Sequence, residues 1–384
     1  MFNTEFVDEI IVPYQVLDPA SIQILLRECE SLNVNPEIFI LTCRGICRHS
    51  LMTLNLLRQG LTRMSRDEVV KSFNLDVLIL EINKLKQKTN SFEIPTLPEI
   101  GDYLDKYEIK EVLGKGATSV VYKAVNIFLK MEVALKVLSP QLVAEDIMIQ
   151  ERFLDEAVHS SKLSHNGAVR ILDAEKRGKH TYIVMEYING RTLEAILKQS
   201  SKFSSKAVVK IATDICKVLE EGQKIGLIHQ DIKPGNIMIS NKSEVKLADF
   251  GLAKIINEPS KYQTISGKIY GTPYYMSPEA FTEPDKVDFR SDMYSLGATF
   301  YHLLTGKLPF ETNSIMKIIS MHVYDKPINP IQLSNDIPPN LAKIVMKLLE
   351  KNPNNRYQSY SELLNDLKYI EDINLQHRHL NKVA

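Results

Sequence analysis

Hydrophobic and polar positions along this chain change rhythm near residue 105. Up to about residue 90 the apolar residues return at helical spacing. Ile22, Leu25, Leu26 and Cys29 form one stripe, Ile38, Leu41 and Ile46 belong to a second, and Val69, Val70 and Phe73 open a third. Helix-start signals accompany them: Asp18-Pro19, Asn35-Pro36, and Ser65 with Glu68 three residues on. Residues 91–105 carry Pro95 and Pro98 and no period, which reads as a linker. Period two then takes over, so Tyr107–Leu113, Val120–Val125 and Val133–Leu138 are expected to be strands joined by short turns. Helical signals return over about 144–163, strands near 169–175 and 181–187, and helices dominate from about 192. The pattern predicts a small all-α domain (1–90), a linker (91–105), an α+β domain (106–372) whose strand-rich lobe precedes a larger helical lobe, and a tail (373–384).

Composition sharpens this picture mainly by exclusion. A chain of 384 residues exceeds what one core organises, in keeping with more than one domain. Lys+Arg 47 against Asp+Glu 47 leaves a formal charge of zero, so no global field recommends nucleic acid or a membrane surface as partner. Four cysteines are too few for a disulfide framework and suit a reducing, cytoplasmic compartment. Met1–Ile10 has no basic stretch, and no run reaches the ~18 apolar residues of a span, so neither signal peptide nor membrane helix is expected. Cys43 and Cys47 stand four apart with His49 close by, but a fourth ligand is distant, so they read as ordinary thiols rather than a zinc site.

Candidate chemistry is concentrated in the second domain. Gly114-Lys115-Gly116 falls between two expected strands, where glycines at a hairpin tip let backbone amides approach phosphates; alone, such a hairpin is usually just a turn. Lys136 shares a strand face with Ala134 and Leu138, and a charge on an inner face needs a partner. Glu156, on a helix expected over Ile149–Leu163, is the first candidate and Asp155 the second. Asp231, Lys233 and Asn236 stand within six residues, followed by the apolar strand Ile237–Ile239. Asp249 follows a second short strand, Val245–Ala248. Phosphoryl transfer needs a carboxylate for the hydroxyl, a cation for the phosphoryl group, and an amide and an acid for metal, and this stretch holds all four.

In that order, these motifs resemble the Ser/Thr protein kinase family, and their style is similar to its bacterial branch, over about residues 105–372. The resemblance implies a bilobal fold with Asp231 as catalytic base, Lys233 on the phosphoryl group, and Lys136 held by Glu156. It implies Gly114, Lys115 and Gly116 over the phosphates, and Val121, Ala134 and Met238 around adenine. Met185 would stand at the back of that pocket, Glu186 to Ile188 would form the hinge, and Asn236 and Asp249 would take Mg2+, with Mn2+ as the alternative. By the same likeness Gly271-Thr272-Pro273 lies under the substrate residue, Asp292 anchors the catalytic loop and Arg356 pairs with Glu279. One position departs: Gln230 replaces an arginine that pairs with a phosphorylated loop, so modification at Thr264 or Ser266 is expected to couple less to activity. The activity implied is ATP-dependent transfer to Ser/Thr hydroxyls of proteins, with autophosphorylation. The alternative is a pseudokinase scaffold, whose usual sign is loss of Lys136, Asp231 or Asp249, and none is lost. Residues 1–90 are expected to regulate or to dock a partner.

Overall fold

A computed structural model describes residues 96–116, 118–145, 148–177, 180–249, 254–255 and 273–370. The helical stripes of residues 1–90, Cys43, Cys47, His49, Thr264, Ser266, Gly271, Thr272 and the tail lie outside the described residues.

The first lobe is one antiparallel sheet in the order β1-β2-β3-β4-β6-β5. Its strands are β1 (Tyr103–Leu104), β2 (Tyr107–Lys115), β3 (Ser119–Asn126), β4 (Glu132–Leu138), β5 (Ile171–Arg177) and β6 (His180–Glu186). Strand alternation decides the two faces. Val133, Leu135 and Val137 of β4 join Tyr107, Ile109, Val120, Tyr122, Tyr182 and Val184 in a closed apolar cluster, onto which Leu97 packs. Leu138, on the opposite face, meets Ile183, and there helix α2 (Met148–Ser161) adds Phe153 and Ala157. A short helix, α1 (Pro140–Glu145), precedes it. Helix α2 stops short of Leu163. The Ser160 and Ser161 hydroxyls bond the carbonyls of Glu156 and Val158, and the chain tightens into Lys162 N to His159 O and Leu163 N to Ser160 O turns. Two register shifts in β2, between Ile109 and Glu111 and between Val112 and Gly114, leave Gly114 opposite Val121. The row Gly114, Val121, Lys136, Ile183 therefore runs across four strands.

The second lobe is helical, and besides the helices described next it holds α3 (Leu193–Ser200), α5 (Pro278–Thr282), α7 (Ile315–Tyr324) and α8 (Pro330–Leu333). Helix α4 (Ser205–Lys224), capped by Ser204, buries Val208, Ile211, Ala212, Ile215, Val218 and Leu219 at spacings of three and four. Helix α6 (Phe289–Thr305) is buried nearly all round; Asp288 caps its start, and Gly306 ends it at φ 71, a left-handed conformation suited to glycine. Around α6 pack α9 (Pro339–Leu348) and a last helix over residues 360–370, which contribute Leu341, Val345, Leu348, Leu363 and Leu367 to the same core as α4. Between the lobes run short pairings: β7 (Gly190–Thr192), β9 (Ile237–Ser240) and β10 (Val245–Leu247) in one sheet, and β8 (Leu227–Ile228) with β11 (Lys254–Ile255) in another. Hairpin β9–β10 sets the loops that precede and follow it side by side, and the candidates Asp231, Lys233 and Asp249 lie on those loops.

Candidate active site

Lys136 extends from the middle of β4 on the face that α2 covers. Its Nζ meets Glu156 Oε1 at 2.6 Å and Asp249 Oδ1 at 2.5 Å. Of the two candidates left open by the sequence, the contact is to Glu156. An ammonium has three donors, so two carboxylates leave one N–H for a further acceptor. Burial opposes the charge on Lys136, yet Asp249 and Glu156 together outweigh it and its pKa rises. Burial pushes Glu156 up to about 7, against the pull of Lys136. Burial also opposes the charge on Asp249, but Lys136 wins there and holds that carboxyl below its usual range.

The loop from His229 to Asn236 is anchored from below. Asp292, fully buried near the start of α6, accepts from His229 N and Gln230 N at 2.8 Å each. Gln230 holds φ 64, a left-handed conformation that costs about 1 kcal/mol outside glycine; its amide bond to Asp292 fixes it. Thr299 Oγ1 of α6 donates to Ile232 O at 3.3 Å. The His229 imidazole is buried and neutral, its pKa pushed down to about 4 by burial. Its Nδ1 accepts from Asp231 N at 3.2 Å, so its Nε2 carries the proton toward Ala248 O at 3.3 Å. Ala248 N in turn donates to Asn236 O at 2.8 Å. His229 and Ala248 thus lace the Asp231 loop to the Asp249 loop, and Asp249 itself sits at φ 62.

On this frame Lys233 Nζ lies 2.7 Å from Asp231 Oδ2. Asn236 Nδ2 donates to Asp231 O at 2.8 Å and to Asp231 Oδ2 at 3.0 Å. Burial raises the Asp231 carboxyl, with Lys233 and Asn236 pulling the other way. Both amide protons of Asn236 are committed to Asp231, so its Oδ1 is the atom that could face a cation, beside the carboxylate of Asp249. Two hard oxygens of this kind suit a small divalent ion completed by phosphate and water. Among the described residues no group of three or more His, Cys, Asp or Glu could hold a metal by itself.

The remaining candidates are spread over both lobes. Val121 faces Lys136 across β3–β4, and Ala134 faces Met185 across β4–β6. Met238, on β9, belongs to the other lobe. The Glu186 amide donates to Arg170 O at 3.0 Å, while Lys246 holds its side chain at 3.1 Å. Gly116 N closes the hairpin tip on Ser119 O at 2.8 Å. A Cβ built at Gly114 would meet nothing within 4 Å, so chain packing does not demand that glycine, and the room beside it is open to a ligand. Farther off, Arg356 grips Glu279 through two bonds of 2.6 and 2.8 Å. Sequence reasoning missed the direct Lys136–Asp249 contact, the lacing role of His229 and the Lys246–Glu186 tie. Only His229 carried a local signal, a polar residue directly after the apolar pair Leu227-Ile228.

The protein kinase domain family model matches residues 107–369. A probable serine/threonine-protein kinase of Clostridium acetobutylicum is 37% identical over 268 residues, 70% of this chain and 40% of that protein. Serine/threonine-protein kinase PknB of Mycolicibacterium smegmatis is 38% identical and PknB of Mycobacterium tuberculosis 39% identical, each over 272 residues, 70% of this chain and 43% of the relative. The chain thus spans less than half the length of these relatives. With that fold, that site and these matches, the chain belongs to the protein kinase family.

Proposed function

We propose that this chain is an ATP-dependent protein-serine/threonine kinase that also phosphorylates itself. The observation that carries the reading is the meeting of two loops: one bears Asp231, Lys233 and Asn236, and the other bears Asp249, which Lys136 of β4 joins to Glu156 of α2. Asp231 orients a substrate hydroxyl and takes its proton, Lys233 neutralises the moving phosphoryl group, and Lys136, fixed by Glu156, holds the phosphates. Asn236 and Asp249 would hold Mg2+ or Mn2+, which supplies charge neutralisation when bound. Val121, Ala134, Met185, Met238 and the hinge Glu186 to Ile188 form the adenine pocket, and Gly114, Lys115 and Gly116 cover the phosphates. No helix among the described residues is long and apolar enough to cross a membrane. The cysteine usage favours the cytoplasm, and residues 1–90 serve as a regulatory or docking module.

The test follows labelled phosphate from ATP into a Ser/Thr-rich acceptor protein. Asp249→Asn should lower transfer by ~10³-fold, and chelation should abolish it, with Mg2+ or Mn2+ restoring it. Transfer that survives both treatments unchanged would sink the reading.

A further inference from the structure

The buried face of α2 carries Gln150, Phe153, Ala157 and Ser160. Phe153 and Ala157 pack on Leu138 and Ile183, and Ser160 satisfies its hydroxyl within its own helix at Glu156 O. Gln150 does something different. Its Nε2 donates to Thr181 Oγ1 on β6, and both residues are more than nine-tenths buried, at 8% and 3% exposure. Thr181 shares its strand face with Ile183, two residues on, and Ile183 stands opposite Lys136. Helix α2 therefore makes polar ties to the sheet at two heights, Gln150–Thr181 and Glu156–Lys136 among them, with Phe153 between these and its ring 5.6 Å from Lys136 Nζ.

Six residues separate the tied positions, ~9 Å along the helix axis and ~120° around it. One tie leaves the helix free to turn about that point. Two ties at different heights and angles fix both its rotation and its slide. We propose that Gln150 and Thr181 are a positioning pair that sets α2 so that Glu156 reaches Lys136. The inference rests on the kinase reading of the Lys136 site. Neither residue touches the reacting groups. They act through Glu156, and because both are buried, losing either leaves the other with an unmade hydrogen bond.

The experiment compares Gln150→Leu, Thr181→Val and the double variant in the full chain by three readouts: amide exchange of residues 148–161, kcat for phosphate transfer, and thermal unfolding. Each single variant should speed exchange in α2 and lower kcat by ~10-fold, the scale of one unsatisfied buried group. The double variant, with both polar groups gone, should recover most of the stability, while its kcat and α2 exchange stay at the level of the single variants, because the tie itself is still missing. In a Glu156→Gln background, Gln150→Leu should lower kcat no further. A uniform loss of stability with kcat and α2 exchange unchanged would overturn the proposal. So would a Gln150→Leu effect that keeps its full size beside Glu156→Gln. If the wild-type chain transfers no phosphate the kinase reading fails, and α2 exchange alone then decides whether the pair positions the helix.

Discussion

Lys136 is the residue on which two carboxylates converge, and its removal states the electrostatics of the site most simply. Lys136→Met leaves Glu156 and Asp249 facing one another across the space their shared cation filled. One of them must then take up a proton, and on the proposed reading the phosphates lose one of their side-chain donors. We expect kcat/KM for ATP to fall by ~10²-fold or more, measured by steady-state phosphate transfer. Asp231 gives a pH signature. Burial raises its carboxyl, so the ionised form needed to accept a proton is lost at higher pH than an ordinary aspartate would require. As pH falls, kcat should decline through an acid limb lying above 3.8, the ordinary value. Substituting Asp231→Asn should remove that limb from whatever residual rate remains. These residues were legible in the sequence because their spacing is local: Asp231, Lys233 and Asn236 fit on one loop whatever the rest of the chain does. Lys136–Asp249 was not legible, since 113 residues separate the partners and only hairpin β9–β10 and the cleft bring them together.

Among the elements, α6 does the most for the site while contributing no reacting group. Asp292 turns the backbone of His229 and Gln230 toward itself, and an asparagine there could accept only one of those two N–H groups while aiming its own N–H at the other. Asp292→Asn should therefore cost ~1–3 kcal/mol of stability by denaturant unfolding and lower kcat more than it changes KM for ATP. Arg356 shows the other kind of anchoring. Besides Glu279 it donates to the carbonyls of Glu350, Arg290 and Lys351 at 2.7–3.0 Å, and its side chain is wholly buried. Arg356→Met should cost ~3–5 kcal/mol, because Glu279 is then buried without its cation. Strands were readable from alternation, and β4 extends one residue beyond its expected start. Helix ends were less so: serine hydroxyls and tightened turns ended α2 early, and apolar periodicity does not register such side-chain competition. The Gln150–Thr181 bond escaped for a related reason, since a glutamine on a helix face reads as solvated until the sheet beneath it is known.

For the molecule as a whole, acid stability reflects opposing groups. His229 and His322 are held neutral, near 4 and near 3, chiefly by burial. A histidine with a lowered folded pKa stabilises the fold above its unfolded value of 6.5, and that contribution is lost as pH falls from 6.5 toward the folded value. Glu156 and Asp292, each raised by burial to about 7, run the other way, because their ionised forms cost stability that protonation relieves below pH 7. Replacing His322 by Gln removes one side of this balance. Between pH 6.5 and 5 the wild type should lose stability relative to His322→Gln by ~1 kcal/mol per pH unit, steepening as pH falls, read from thermal unfolding across pH. A constant difference between the two proteins would show that His322 does not carry that term.

On the proposed reading Asp231 is the group that handles the substrate proton, while others hold the nucleotide. The most direct test measures ATP affinity and the single-turnover rate of phosphate transfer to serine or threonine for the wild type and for Asp231→Asn. We expect ATP affinity within a few-fold of wild type, a transfer rate lower by ~10³-fold, and product phosphate on serine or threonine only. Equal transfer rates for the two proteins, or phosphate appearing on tyrosine, would contradict it.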